Sequence, residues 1–180
     1  PPPAPSQCLP TEHLAPPKIA AGGKGGYQWP HFIIGGAGKA DSSLAAKRRD
    51  DGFDGDITLI GDETAPPYQR PPLSKAYLLG EMPRDRLFLR NDSFYEERQI
   101  TLRTGTAVSA IDPTAKTITC GQETLTYDQL ALTTGSLPRR LPASIGGDLE
   151  GVYTVRTLAD IDALEPTVRT RRRVPLNGGG

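Results

Sequence analysis

The apolar positions of this chain acquire a regular pattern at residue 31. Phe32, Ile33 and Ile34 form a short aromatic and β-branched run that stops at Gly35-Gly36-Ala37-Gly38. A continuous apolar run of that length, closed by glycines, predicts a buried strand entering a tight turn. The spacing then changes. Ala40, Leu44 and Ala45 recur at helical intervals through residue 49, and Gly52 supplies a stop. Residues 57–60 form a second buried strand, closed by Gly61-Asp62. Strand, helix and strand in such short order predict a βαβ unit with a parallel pair.

Downstream, Pro66, Pro67, Pro71 and Pro72 exclude a central strand or a helix interior around Tyr68. Ser74 is the expected cap of a short helix beginning near Lys75. Residues 94–98 read as helical and 100–103 as a third strand. Three short stretches follow, 107–111, 117–120 and 124–127. Their alternation and the Asp112-Pro113 turn predict an antiparallel meander. Residues 129–134, ahead of Gly135, read as a strand returning to the parallel sheet. A helix is expected over 157–164 with Asp160 and Asp162 on its wet side, and a further strand over 174–180 entering a glycine turn. The fold class is therefore α/β: a three-layer core around a parallel sheet, with a small antiparallel β-meander inserted.

Composition changes this picture mainly at the start. Residues 1–30 are rich in Pro and Gly and carry no apolar period, so they are expected to form a disordered tail. A docking arm is the alternative. Lys and Arg number 21, as do Asp and Glu, so the net charge of zero gives no electrostatic case for nucleic acid or an anionic membrane. The run of Arg169, Arg171, Arg172 and Arg173 reads as a solvated turn, because no aromatic residue is interleaved with it. No apolar stretch is long enough to span a bilayer, and no basic start with an apolar stretch marks a secretory signal. Cys8 and Cys120 form no C-x-x-C pair and no metal-ligand cluster with His13 or His31, and a reducing, cytoplasmic setting is the default.

The candidate chemistry lies in two places. The first is Gly36-Ala37-Gly38-Lys39-Ala40-Asp41, after a strand and opening a helix. Gly36 permits the tight turn. Gly38 lets the backbone approach a pyrophosphate, whose charge the helix N-terminus favours. Asp62 follows the second strand at the place of a ribose-binding carboxylate. A plain glycine-rich turn is the competing reading. The third glycine of this fingerprint is replaced by Asp41, which brings bulk and negative charge beside a diphosphate. On that account Asp41→Gly is expected to tighten dinucleotide binding, unless Asp41 turns outward as a helix-stabilising first-turn carboxylate. The second place is Tyr68-Gln69-Arg70-Pro71-Pro72-Leu73-Ser74-Lys75. Its prolines stiffen a basic loop, which a solvated connector would also explain.

Leu59-Ile60-Gly61-Asp62-Glu63, the Pro-Tyr-x-Arg-Pro-Pro-Leu-Ser-Lys string that starts at Pro67, Gly135-Ser136-Leu137-Pro138-Arg139 and Val155-Arg156-Thr157-Leu158 together carry a resemblance. From residue 31 onward the chain resembles the N-terminal part of FAD-dependent pyridine nucleotide oxidoreductases of the ferredoxin, rubredoxin and putidaredoxin reductase type. More distantly it is similar to apoptosis-inducing factor and monodehydroascorbate reductase. The resemblance implies a Rossmann-like FAD-binding domain over 31–165, incomplete here, and the start of an NAD(P)-binding domain over 166–180. It implies that Gly36, Ala37, Gly38 and Ala40 line the FAD diphosphate and that Asp62 accepts from the adenosine ribose. Arg70 and Pro71 would flank the adenylate, and Val108 would meet the adenine region through its backbone. Lys75 would lie beside the flavin ring, Thr134 and Gly135 would form a second turn near the cofactor, and Arg156 would hydrogen-bond near the flavin or diphosphate.

The implied activity passes electrons from NAD(P)H through FAD to a ferredoxin- or rubredoxin-like iron–sulfur protein. It requires no catalytic acid or base and no metal ligand. The C-x-x-x-x-C pair of disulfide-relay relatives is absent, which points to an acceptor served directly by flavin. Two further departures from the family pattern are Thr133, where alanine is usual, and Pro175 in the strand expected at 174–180. The alternative is a non-catalytic or degenerate flavin- or nucleotide-binding protein, to which Asp41 and Pro175 point. These 180 residues alone are expected to show no NADH-dependent diaphorase activity. Steady turnover of ferricyanide would overturn that expectation.

Overall fold

Phe32, Ile33 and Ile34 are all buried because β1 (His31–Gly35) lies inside a parallel sheet covered on both faces. The computed structural model describes residues 30–170 together with Arg173, Pro175 and Leu176. After β1 come α1 (Lys39–Asp50), β2 (Asp56–Ile60), α2 (Asp92–Glu97), β3 (Ile100–Arg103), β4 (Ala110–Asp112), β5 (Thr117–Cys120), β6 (Glu123–Thr126), β7 (Gln129–Leu132) and α3 (Leu158–Thr170). The main sheet has the order β3-β2-β1-β7, and every pairing in it is parallel. Ile33 sits opposite Thr58 on one side and Leu130 on the other.

Alternate residues of β1 feed two cores, as the pleat of a strand requires. Phe32 and Ile34 join Ala45, Phe53, Ile57, Leu59, Tyr95 and Ile100 beneath α1 and α2. Ile33 joins Ile60, Ile118 and Cys120, with Leu125, Tyr127 and Leu130 packed around them. The third layer is thus the antiparallel sheet β4-β5-β6. A separate cluster holds the proline-rich loop to α3. Ala65, Tyr68, Leu73 and Leu87 meet Leu158, Ile161 and Leu164 there.

Several expectations shift. Helix α1 ends as predicted, with Gly52 at φ +81° donating to the Arg49 carbonyl at 3.0 Å. Helix α2 starts earlier than residue 94 because the Asn91 side chain accepts the Phe94 N–H at 3.2 Å and caps it. Ser74 caps nothing: it lies inside a wide helical turn, Leu73–Tyr77, in which Tyr77 N–H reaches back to Pro72 O at 3.1 Å. The first meander strand is shorter than 107–111, and β7 stops at Leu132, although Thr133 N–H still donates to Gly35 O at 2.9 Å. Helix α3 continues beyond residue 164 through Pro166 to Thr170. The tail expected over 1–30 lies outside the described residues except Pro30. Of the strand expected over 174–180, only Pro175 and Leu176 are described, and neither is in a strand.

Asp162 does face water, pairing with Arg84 at 3.3 Å and accepting from Tyr77 at 2.6 Å. Asp160 does not. Its carboxylate accepts the N–H groups of Arg156 and Thr157, both at 2.9 Å, and the Thr154 hydroxyl at 3.0 Å. The Thr157 hydroxyl in turn accepts Asp160 N–H at 3.1 Å. This is the reciprocal capping arrangement that a Thr-x-x-Asp spacing encodes. Burial pushes the Asp160 carboxyl up, but the N–H donors of Thr157 and Arg156 outweigh it and hold the carboxyl below its ordinary value. A depressed carboxyl contributes stability above its unfolded value and loses it as pH falls. Asp160→Ala is therefore expected to destabilise the protein by about 1 kcal/mol at neutral pH. In thermal melts across pH, the gap from wild type should close below about pH 4. A gap that stays constant into acid would contradict this role.

Candidate dinucleotide site at the carboxyl edge of the sheet

All four strands of the main sheet run the same way, so their carboxyl ends share one edge. The chain leaves β1 through α1 toward β2, while β7 lies on the other side of β1. The loops after β1 and β7 therefore part at this edge. That parting is the switch point where open α/β sheets bind ligands.

The turn after β1 is held from below. Gly36 N–H donates to Ile60 O at 2.8 Å. Gly36 has φ +148°, and a Cβ there would lie 2.6 Å from Thr133 O. Ala37 occupies the left-handed region at φ +49°, a conformation that a residue with a Cβ seldom adopts. Gly61 allows the turn to sit on the end of β2, since a Cβ there would fall 2.4 Å from Ala37 Cβ. Asp62 follows and is exposed at the same edge. Gly61 O accepts Thr106 N–H at 2.8 Å and Glu63 O accepts Gly105 N–H at 2.9 Å, which draws the loop after β3 to this edge. Val108, two residues further on, is 36% exposed.

The remaining candidates come from the proline-rich loop and the segment before α3. Arg70 donates from Nη1 to Arg156 O at 2.6 Å and from Nη2 to Glu63 Oε1 at 2.5 Å. The Arg156 guanidinium reaches within 3.4 Å of where a Cβ on Gly135 would stand, and Gly135 has φ +70°. Gly135, next to Thr134, is thus brought together with Arg70 and Arg156, while Gly36, Ala37 and Gly38 form the turn after β1, with Ala40 in the first turn of α1 and Asp62 following Gly61. Pro71 and Lys75 are exposed on the loop beyond Arg70. No hydrogen bond or ion pair among the described residues ties Lys75 or Val108 to the Gly36 turn.

Two residues absent from the sequence-based set organise this loop. The Tyr68 hydroxyl donates to Glu63 and accepts the buried N–H of Leu158 at 2.9 Å. Burial first, and the Glu63 hydrogen bond second, push the Tyr68 phenol well above its ordinary value. Glu63 thus takes both Tyr68 and Arg70, fixing the guanidinium against the Arg156 carbonyl ahead of α3. The signal in the sequence was a carboxylate placed shortly before Tyr68 and Arg70 on a proline-stiffened loop.

Asp41 settles the question its position raised. It is fully buried, with 0% exposure. One carboxylate oxygen accepts Gly38 N–H at 2.7 Å and the other accepts the Thr133 hydroxyl. The outward-facing alternative is therefore excluded. As the first residues of α1, Lys39 and Ala40 keep N–H groups with no partner inside the helix, and both residues are exposed. The turn, the helix N-terminus and Asp62 fit a dinucleotide, with one backbone donor of the diphosphate cradle already taken.

These features are those of an α/β fold of the dinucleotide-binding type. The chain belongs to the pyridine nucleotide-disulphide oxidoreductase family, whose pattern matches residues 30–180. It is 44% identical over 149 residues to the probable ferredoxin reductase CtmF of Castellaniella defragrans, covering 82% of this chain and 36% of that protein. It is 36% identical over 153 residues to putidaredoxin reductase CamA of Pseudomonas putida, covering 83% and 36%. Among solved structures, the covalent putidaredoxin reductase–putidaredoxin complex is similar at 35% identity and TM-score 0.72, over 77% of this chain and 34% of that one. The chain spans about a third of the length of the curated relatives it matches. Among the described residues no helix is long and apolar enough to cross a membrane, and no cluster of His, Cys, Asp or Glu is placed to hold a metal ion.

Proposed function

We propose that these residues hold FAD within a longer NAD(P)H-dependent reductase that serves a ferredoxin- or rubredoxin-like iron–sulfur protein. The observation that carries the reading is the pairing of the Gly36–Gly38 turn with exposed Asp62 across Gly61. Relatives named as ferredoxin and putidaredoxin reductases, each at least 36% identical, support it. When bound, FAD supplies acceptance of a hydride equivalent and release of single electrons. The chain's part is to bind, orient and tune. Gly36, Ala37, Gly38 and Ala40 receive the diphosphate, and Asp62 accepts from the ribose. Arg70, Pro71 and Val108 border the adenylate, while Thr134, Gly135 and Arg156 border the second turn. A cytoplasmic setting accords with Cys120, a buried free thiol of the kind that reducing surroundings preserve.

The test is direct. The full-length protein should purify yellow, release FAD on denaturation, and bleach with NADH or NADPH. A colourless protein that takes up no FAD would sink the reading. A yellow protein that neither nucleotide bleaches would favour a non-catalytic flavin-binding role, to which the carboxylate at Asp41 points.

Lys75 gives a finer check. A lysine ammonium near a flavin ring favours the reduced, anionic form electrostatically. In the full-length protein, Lys75→Met is expected to lower the two-electron midpoint potential by about 20–30 mV, equivalent to roughly 1 kcal/mol. An unchanged potential at full FAD content would return Lys75 to an ordinary surface role.

A further inference from the structure

The two departures at 41 and 133 lie 92 residues apart in sequence and meet at one hydrogen bond. We propose that Asp41 and Thr133 form a single brace across the nucleotide turn. It acts as a built-in anion that stabilises the cofactor-free chain and opposes the diphosphate of FAD. The second half of this inference rests on the FAD reading above.

The geometry of the brace is specific. Asp41 comes from the first turn of α1, and Thr133 follows β7 on the far side of β1. The carboxylate uses one oxygen on Gly38 N–H at 2.7 Å and the other on the Thr133 hydroxyl. It lies under the turn, where a Cβ on Gly36 would meet its two oxygens at 2.7 and 2.9 Å. A buried carboxylate is tolerated only with donors. The helix N-terminus supplies one and part of a compensating field. Thr133 supplies the other, from the residue that follows β7. Thr133 is therefore a positioning residue for Asp41, and the pair ties the sheet edge to the helix start without a ligand.

An incoming diphosphate would meet this brace in two ways. It would find the Gly38 N–H already engaged, and it would bring negative charge toward a fixed carboxylate. Removing the carboxylate therefore favours the ligand and weakens the empty fold. Removing only the Thr133 hydroxyl strands a buried charge on a single donor, which is the worst case for the fold. Removing both removes the anion and its support together.

The experiment uses the full-length protein stripped of flavin, as wild type, Asp41→Gly, Thr133→Ala and the double variant. Asp41→Asn and Thr133→Ser serve as conservative partners. Melting without FAD reads the brace, and titration with FAD, followed by quenching of flavin fluorescence, reads the opposition. Thr133→Ala should lower the melting temperature clearly in the wild-type background and little in the Asp41→Gly background, and Thr133→Ser should melt near wild type. Asp41→Gly and the double variant should bind FAD about tenfold more tightly. Should Asp41→Gly not fold, Asp41→Asn keeps the acceptor on Gly38 N–H, removes the charge and should show a smaller gain in the same direction.

An equal drop for Thr133→Ala in both backgrounds would overturn the brace. Equal or weaker FAD binding by the carboxylate-free forms would overturn the opposition. If no form binds FAD, the proposed function fails, and the melting cycle alone decides the brace: background dependence sustains it and independence overturns it.

Discussion

Gly61→Ala is expected to weaken FAD binding roughly 5- to 150-fold, while Gly35→Ala leaves it near wild type. The contrast is one of space. At Gly35 an added Cβ would meet the Leu132 side chain at 3.6 Å, an ordinary contact. At Gly61 it would fall 2.4 Å from Ala37 Cβ and 3.0 Å from Gly36 O. Neither atom can rotate aside, because one is fixed to the backbone and the other belongs to it. The Gly36–Gly38 turn must therefore lift from the end of β2 and stretch the Gly36 N–H bond to Ile60 O. Overpacking of this kind costs about 1–3 kcal/mol. If the displaced element is the ligand's own cradle, that cost appears as the stated loss of affinity. FAD titrations of the two variants beside wild type decide the matter, and equal affinities for all three would refute the assignment of the turn.

Tyr68→Phe is expected to lower stability by roughly 2–3 kcal/mol through a single hydroxyl. That hydroxyl serves two partners at once. Its loss leaves the buried N–H of Leu158 without its acceptor, and Glu63 without one of its donors. Both losses occur at the apolar cluster of Leu73, Leu87, Leu158, Ile161 and Leu164, where water is a poor substitute. The melting temperature should fall on the order of 5–10 °C for a protein of this size. The raised phenol adds a sign. Its contribution is present below about pH 10, where the unfolded tyrosine is neutral, and is lost as pH rises toward the folded value. A Tyr68→Phe protein that melts with wild type would show the network to be incidental.

Much of the framework was legible because its signals are local. The glycines closing β1 and β2, the helical spacing of α1 and the alternation of the meander each report on neighbours a few residues away. The parallel pairing of β1 with β2 agrees with the βαβ reading for the same reason, whereas the place of β7 beside β1 is a long-range pairing that appears only in the fold. The cap at Asp160 was also written locally, as Thr157-x-x-Asp160. Helical period alone places Asp160 toward water, whereas in the first turn a carboxylate folds back onto free backbone donors.

The elements and the glycines of the turn after β1 therefore follow from local sequence alone. The directions of the charged groups follow only from the folded chain. Nothing near Asp41 in sequence shows whether its carboxylate faces solvent or the sheet. The choice depends on Thr133, which arrives from 92 residues away and offers the second donor that makes burial possible. Likewise Arg70 is aimed by Glu63 and by the carbonyl of Arg156, 86 residues distant. A strand or a helix is set by its own backbone and its immediate period, but a buried charge adopts the direction in which its donors lie, and those donors are assembled only when the chain has folded.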